Sequence, residues 1–285
     1  MRHDVKRGAV LLMTSSLFLS LVNACQKSAG TQLPILEILF FRNFLSMPFV
    51  FFIASRTQVT LRTERLAGHA LRSLFGLISM FLVLFVLTKL PLFEQQVFSY
   101  LQPIFVALFA TFFFGETLSV GRQLAIGLGF CGVAIAASGR FATPVHLETP
   151  VWVYLVALSQ GAFAALSTLQ IRQLSKTEHS ITITLWQAIF MTGATLVLMP
   201  FVWVTPAPGE AVLLLAIGTF SGAAQLFQTE AFASAQVSSI GAFLYFGLVW
   251  AGLIGWLWFG EVPGMRAAIG GLVIAGAGIW AVRSK

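Results

Sequence analysis

Ten apolar stretches, near 8–26, 33–54, 70–88, 93–114, 121–138, 150–170, 181–203, 211–233, 238–259 and 267–282, occupy most of this chain and leave only short breaks between them. Each approaches the roughly 17–25 residues that an α-helix needs to cross about 30 Å of hydrocarbon. In lipid an uncovered backbone amide must bond within its own segment, which favours helices. Composition excludes the soluble alternative. Only 9% of the residues are charged and 58% are hydrophobic, with 28 Phe against 10 acidic residues, whereas a soluble globule carries about 25% charged residues. The expected fold class is an all-α integral membrane protein of ten transmembrane helices with no soluble domain.

Lys and Arg set the orientation, because short loops rich in them stay on the cytoplasmic side. With the N-terminus inside, twelve basic residues fall at inner ends and loops (Arg2, Lys6, Arg7, Arg56, Arg62, Arg65, Arg72, Arg122, Arg172, Lys176, Arg283, Lys285) and four at outer ones (Lys27, Lys89, Arg140, Arg266). Both termini are therefore expected in the cytoplasm. The net charge of +7 follows from this topology, and no nucleic-acid partner is needed to explain it. Cys25 and Cys131 lack CxxC spacing, so buried, inert thiols are expected and no disulfide or zinc site. The N-terminal basic residues, the first apolar run and "LVNAC" (Leu21 to Cys25) also fit a bacterial lipoprotein signal. Asn23 suits that reading poorly, and 8–26 is taken as the first helix.

A repeat organises the chain. "FFFGET" (Phe112 to Thr117) closes the fourth apolar stretch, and "WFGE" (Trp258 to Glu261) closes the ninth, 145 residues later. At that offset Phe98, Tyr100, Phe114, Gly115 and Glu116 meet Phe243, Tyr245, Phe259, Gly260 and Glu261. After a slip of one residue Gly127, Leu128 and Gly132 meet Gly271, Leu272 and Gly276. The expected division is 1–140 and 141–285, five helices each. Five is odd, so the second half enters the membrane inverted. Inverted repeats typically build transporters with a midplane site between halves that move against each other. Gly115 and Gly260 are suited to end a helix. Glu116 and Glu261 then stand at the entrance of the next helix, where the dipole favours negative charge. These four residues are expected to be structural turns.

These residues resemble the drug/metabolite transporter superfamily, in particular its EamA-type ten-helix transporters. The similarity runs over essentially the whole chain and rests on "PILEILFFRNF", "YLQPIFVALFATFFFGETLSVGRQLAIGLGF" and "FGEVPGMRAAIGGLVIAGAGI". Gly247-Leu248 stands where the first half has Gln102-Pro103, a departure from exact symmetry of the two kinked helices. The resemblance implies a carrier of amino acids or related compounds in the bacterial cytoplasmic (inner) membrane. "HALRSLFGLISMFLVLFVL" (His69 to Leu87) also resembles carriers of S-adenosylmethionine or nucleotide derivatives.

Arg42 is the sharpest single signal. Near mid-depth, an unpaired cation costs at least ~2.5 kcal/mol, so Arg42 must meet protein, water or an anion. Two readings stand: an anchor for a substrate carboxylate or phosphate, and a permanent clamp between helices. Glu37, five residues earlier, points some 140° away at about 100° per residue and is expected to be hydrated at the outer interface. Gln96, Tyr100 and Pro103 share one helical face, and Pro103 can kink the helix. With Tyr245 at the equivalent place, the two tyrosines could contact a small polar substrate. Asn23, Gln160, Gln225 and Trp250 complete the expected substrate-binding set, on the architecture that the resemblance implies. Glu94 and Glu230 are the candidates for proton coupling; burial would raise the pKa of Glu230, and the nearby cytoplasmic end leaves a solvated residue as the alternative reading. The Gly-rich runs 127–132 and 270–278 suit close helix crossing.

Neither HExxH nor GxSxG occurs, so no enzyme, catalytic residue, metal or cofactor is expected. The expected partners are a small-molecule substrate and membrane lipid, with the chain a monomer or a homodimer. A non-transporting membrane receptor or subunit is the remaining alternative.

Overall fold

The computed structural model describes residues 5–57, 62–114, 120–138, 150–234 and 241–283. Gly115 and Glu116 of the first Gly-Glu turn lie outside the described residues. The helices are α1 (Val5–Ala29), α2 (Ile35–Thr57), α3 (Leu66–Leu87), α4 (Leu92–Ser99), α5 (Gln102–Phe114), α6 (Val120–Ser138), α7 (Val151–Leu174), α8 (Ser180–Val202), α9 (Pro208–Ser234), α10 (Phe246–Phe259) and α11 (Met265–Arg283). A 3-10 turn, Gly241–Tyr245, runs into α10. Counted as crossings, α4 and α5 form one span, and the 3-10 turn and α10 another, which gives ten.

The bundle is apolar outside and polar inside. Phe112, Phe201 and Leu257 are 82%, 83% and 75% exposed, while Gln26, Glu37, His69 and Gln95 are fully buried. That arrangement suits hydrocarbon, where the solvent rewards an apolar exterior and buried polar groups bond across helices.

Helix pairing repeats between the halves. α1 packs along α9 as α7 packs along α3, and α2 packs on α9 as α8 packs on α3. α1 reaches α10 as α7 reaches α4 and α5. The remaining large contacts, α2 with α8 and α6 with α11, each join equivalent helices. Exchanging the halves maps this set onto itself, as a two-repeat molecule requires.

Small residues set the closest crossing. A Cβ on Gly132 would stand 3.0 Å from the Gly270 carbonyl oxygen, and one on Gly270 2.7 Å from the Ala136 Cβ. α6 and α11 therefore touch backbone to backbone, the contact that such glycines permit in membranes.

Both halves break a helix at the same place. α4 ends at Ser99 and α5 begins at Gln102, so Tyr100 and Leu101 lie between helices and Pro103 falls in the first turn of α5. There its missing N–H costs no helical bond. In the second half the 3-10 turn ends at Tyr245, the equivalent residue, with no proline nearby. The break is thus shared although its proline is not.

Candidate functional site

A cavity of about 100 Å³ lies between α1, α2, α3, α8 and α9. α2 contributes Arg42, Asn43 and Ser46, which one helical face can present together. α9 contributes Ser221, Gln225 and Gln228 at i, i+4 and i+7, and α8 contributes Thr184 and Gln187. Leu19 and Met80 supply apolar wall from α1 and α3. At 1.5 Å rise per residue, Arg42 lies about 10 Å from the start of α2, on the face opposite the N-terminus, and Thr184 about 6 Å from the start of α8, on the N-terminal face. The cavity therefore runs from Arg42 toward the N-terminal face.

Arg42 donates from Nη1 to Gln26 Oε1 at 3.3 Å. Gln26 is fully buried, and its own Nε2 has no partner among the described residues. Ion pairs form between Arg7 and Glu230, Lys27 and Glu261, and His69 and Glu178, and none among the described residues includes Arg42. Ser221 Oγ, on the facing helix, is buried and unbonded among the described residues. A fixed cation thus has beside it an amide, that of Gln26, and across the cavity a hydroxyl, that of Ser221, each with unused capacity among the described residues, an arrangement that can receive an anionic group.

The other sequence candidates gather at a second junction, of α1, α4, α7 and α10. Asn23 Nδ2 donates to Gln96 Oε1 at 3.3 Å. Tyr100 and Tyr245 lie with ring centroids 4.7 Å apart and planes at 45°. Tyr100 Oη donates to the Leu244 carbonyl, in the 3-10 turn, at 2.7 Å. Ser20, next to the cavity residue Leu19, donates to the Gly247 carbonyl at 3.4 Å. Gln160 reaches the cluster through Ser99 Oγ at 3.5 Å. The half-buried Trp250 has an indole N–H without a partner among the described residues. Of the eight expected binding residues, Arg42 and Gln225 line the cavity, while Asn23, Gln96, Tyr100, Gln160 and Tyr245 form this cluster. The tyrosines contact one another, and the hydroxyl of Tyr100 is used to bond a broken helix.

Each end of the bundle carries a polar tie. On the face opposite the N-terminus, Gly260 takes φ 67 at the end of α10. Its N–H bonds Trp256 O and that of Glu261 bonds Gly255 O, both at 3.0 Å, a glycine C-cap. The Glu261 carboxylate pairs with Lys27 and accepts from the Leu92 N–H at 2.8 Å. Glu261 therefore caps the N-terminus of α4, whereas the expected recipient was the following helix. Glu94, in the first turn of α4, is buried within electrostatic reach of Glu261 and Lys27. Glu37 is likewise not hydrated: it is fully buried, with Oε2 accepting from the Val204 N–H at 3.2 Å. On the N-terminal face, His69 and Glu178 pair at 2.6 Å, both nearly inaccessible, and Thr63 also bonds Glu178.

Of the two readings of Glu230, buried and solvated, the structure shows the solvated one. Its side chain is 58% exposed and bonds Arg7 at 3.1 Å, because the last turns of α9 reach the N-terminal end of α1. Sequence reading also passed over Gln26, Asn43, Ser46, Thr184, Gln187 and Ser221 as site residues. The spacing of Ser221, Gln225 and Gln228 was a usable signal, since i, i+4 and i+7 define one face. Gln26 and Thr184 become neighbours of the site only through helix packing.

Comparison with known proteins agrees with this architecture. Residues 6–138, and again 151–283, match the sequence model of the EamA-like transporter family. The chain is 29% identical to a pseudopaline exporter, CntI, of Pseudomonas aeruginosa, over 99% of this chain and 98% of that one. It is 28% identical to an S-adenosylmethionine uptake transporter of Rickettsia felis, over 91% and 86%, and 26% identical to a riboflavin transporter of Vibrio cholerae, over 96% and 92%. A protein of known crystal structure superposes with a TM-score of 0.65 at 18% identity, over 97% of this chain and 96% of the other, which shows a shared fold. With both halves of the chain matched and a polar cavity enclosed by apolar helices, this protein belongs to the EamA-like transporter family and is an integral membrane transporter of small metabolites.

Proposed function

We propose that the chain carries an amino acid or a related metabolite across the bacterial inner membrane by alternating access, with Arg42 holding the substrate carboxylate. The observation that carries this reading is the unpaired Arg42 at one end of a polar cavity. A buried cation without a protein counterion is costly, and a substrate anion removes that cost at the moment of binding. The halves 1–140 and 141–285 are the moving units, with both termini cytoplasmic by the bias of basic residues. The cavity then leads inward, and the tie of Lys27, Glu261 and Leu92 seals the outer side. Glu94, buried beside that tie, is the candidate for proton coupling; the exposure of Glu230 removes the basis for assigning it this role. A second reading, a carrier of S-adenosylmethionine or a nucleotide-like metabolite, is favoured by the relatives in Rickettsia and shares the amino-acid carboxylate.

A thermal-unfolding screen of the purified protein against amino acids, nucleotides and S-adenosylmethionine tests the assignment. The expected result is stabilisation of the wild type by at least one carboxylate-bearing compound, and its loss in Arg42→Ala. Equal stabilisation of both proteins removes Arg42 from the site.

A further inference from the structure

The repeat brings its positions to the cavity in pairs. At the offset of 145 residues Arg42 meets Gln187, Asn43 meets Ala188 and Met80 meets Gln225, and all six line the cavity. The pairing stops at charge. Arg42 is a fixed cation, its counterpart Gln187 is a neutral amide, and no Asp or Glu is among the described residues that line the space. Nearby carboxylates serve other contacts: Glu37 accepts from the Val204 N–H, Glu178 pairs with His69, Glu230 with Arg7 and Glu261 with Lys27.

Depth orders these groups. Counted from the helix starts at 1.5 Å per residue, Arg42 lies about 10 Å from the face opposite the N-terminus, Ser221 of α9 about 20 Å and Gln187 of α8 about 24 Å. Past the cation, then, the cavity presents a hydroxyl and an amide. Ser221 Oγ has no partner among the described residues. Gln187 spends Nε2 on Met191 Sδ at 3.5 Å, a weak acceptor, and its Oε1 has no partner among the described residues. A neutral tail with donors and acceptors is satisfied there, whereas a cationic tail gives up its hydration to a space that holds one like charge and no acid.

Resting on the transport reading above, we propose that the cavity sorts solutes by the charge of the tail: it takes an amino-acid-like compound with its carboxylate on Arg42 and a neutral, hydrogen-bonding tail, and refuses one whose tail carries a fixed cation such as a guanidinium or a sulfonium. Gln187 is the residue that sets this selectivity, because at its position the second half could supply a counterion and supplies an amide. Of the two functional readings, charge selection favours the neutral-tailed amino acid over S-adenosylmethionine.

The test uses the full chain in nanodiscs and two matched pairs of probes, each pair differing in charge at nearly constant shape: citrulline with arginine, and methionine with S-methylmethionine. Titration calorimetry gives the dissociation constants. The expected result is binding of citrulline at least about tenfold tighter than that of arginine, and a preference of the same sign for methionine over S-methylmethionine. Gln187→Glu places an acid in the cavity and should bring the citrulline preference to one or reverse it. Gln187→Leu, which removes the amide without adding charge, should weaken citrulline severalfold and leave arginine the poorer ligand. Size-exclusion profiles show whether the variants fold; if Gln187→Glu does not, Gln228→Glu supplies the acid from another lining position and must lower the same ratio. Equal binding within either pair, a ratio unchanged by the added acid, or no binding of any probe overturns the inference. Counterflow separates this failure from that of the transport reading. Equal movement of citrulline and arginine leaves transport standing and removes charge selection; no movement of any solute removes both.

Discussion

Arg42 and Glu261 show how the same chemistry, a charge inside a bundle, leads to opposite roles. Glu261 has both partners in place, Lys27 and the Leu92 N–H, so its charge holds α1, α4 and the end of α10 together. Glu261→Gln leaves Lys27 only 15% exposed and unpaired, and removing one partner of such a pair costs about 3–5 kcal/mol when burial is complete. Partial exposure places the expected loss below that range, at about 1–3 kcal/mol; calorimetry on Glu261→Gln and Lys27→Met measures it, and equal stability of all three proteins contradicts the tie. Gly260→Ala should add roughly 1 kcal/mol of strain at φ 67. The sequence made Gly260 and Glu261 legible as a turn because glycine before a charge marks a helix end. It could not show which helix receives the carboxylate, since Leu92 is 169 residues away. For Glu230 the limit has the same origin: its place near the end of an apolar run leaves burial and solvation both open, and the approach of α1 to an exposed carboxylate, which brings Arg7 to it, is visible only in the packing.

At the level of elements, the broken spans carry the argument. Pro103 drew attention to a kink, yet the 3-10 turn ending at Tyr245 breaks the equivalent span without a proline. Common to both breaks are the tyrosine pair and the Tyr100 bond to Leu244 O. Pro103→Ala is therefore expected to keep the break and to change transport little, while Tyr100→Phe removes a part-buried hydrogen bond and should cost about 1 kcal/mol. Thermal unfolding of the two variants checks this; a larger loss from Pro103→Ala than from Tyr100→Phe contradicts it. The helices themselves were legible from apolar run length, because hydrocarbon thickness fixes that length. The assignment of polar residues to one cavity was not, since a tilt or rotation of neighbouring helices decides whether Gln96 faces Asn23 or Arg42. Only Arg42 and Gln225 of the expected binding set line the cavity.

The whole molecule is a bundle whose main helix contacts map onto themselves when its halves are exchanged, tied by Lys27 and Glu261 on one face and with a cavity reaching toward the other. In that arrangement Thr184→Cys and Gln228→Cys, near the N-terminal face, should react with a membrane-impermeant maleimide added from the cytoplasmic side of inverted vesicles. Glu261→Gln should shift labelling toward the outer side, and labelling unaffected by that change contradicts closure by this tie. The central claim is that the chain moves a carboxylate-bearing metabolite through the Arg42 cavity, and the most direct measurement is counterflow in proteoliposomes across a panel of such metabolites. The account predicts exchange of at least one of them by the wild type, and exchange at the level of empty liposomes in Arg42→Gln protein of equal abundance. Wild-type rates from Arg42→Gln, or no exchange of any metabolite by the wild type, would contradict it.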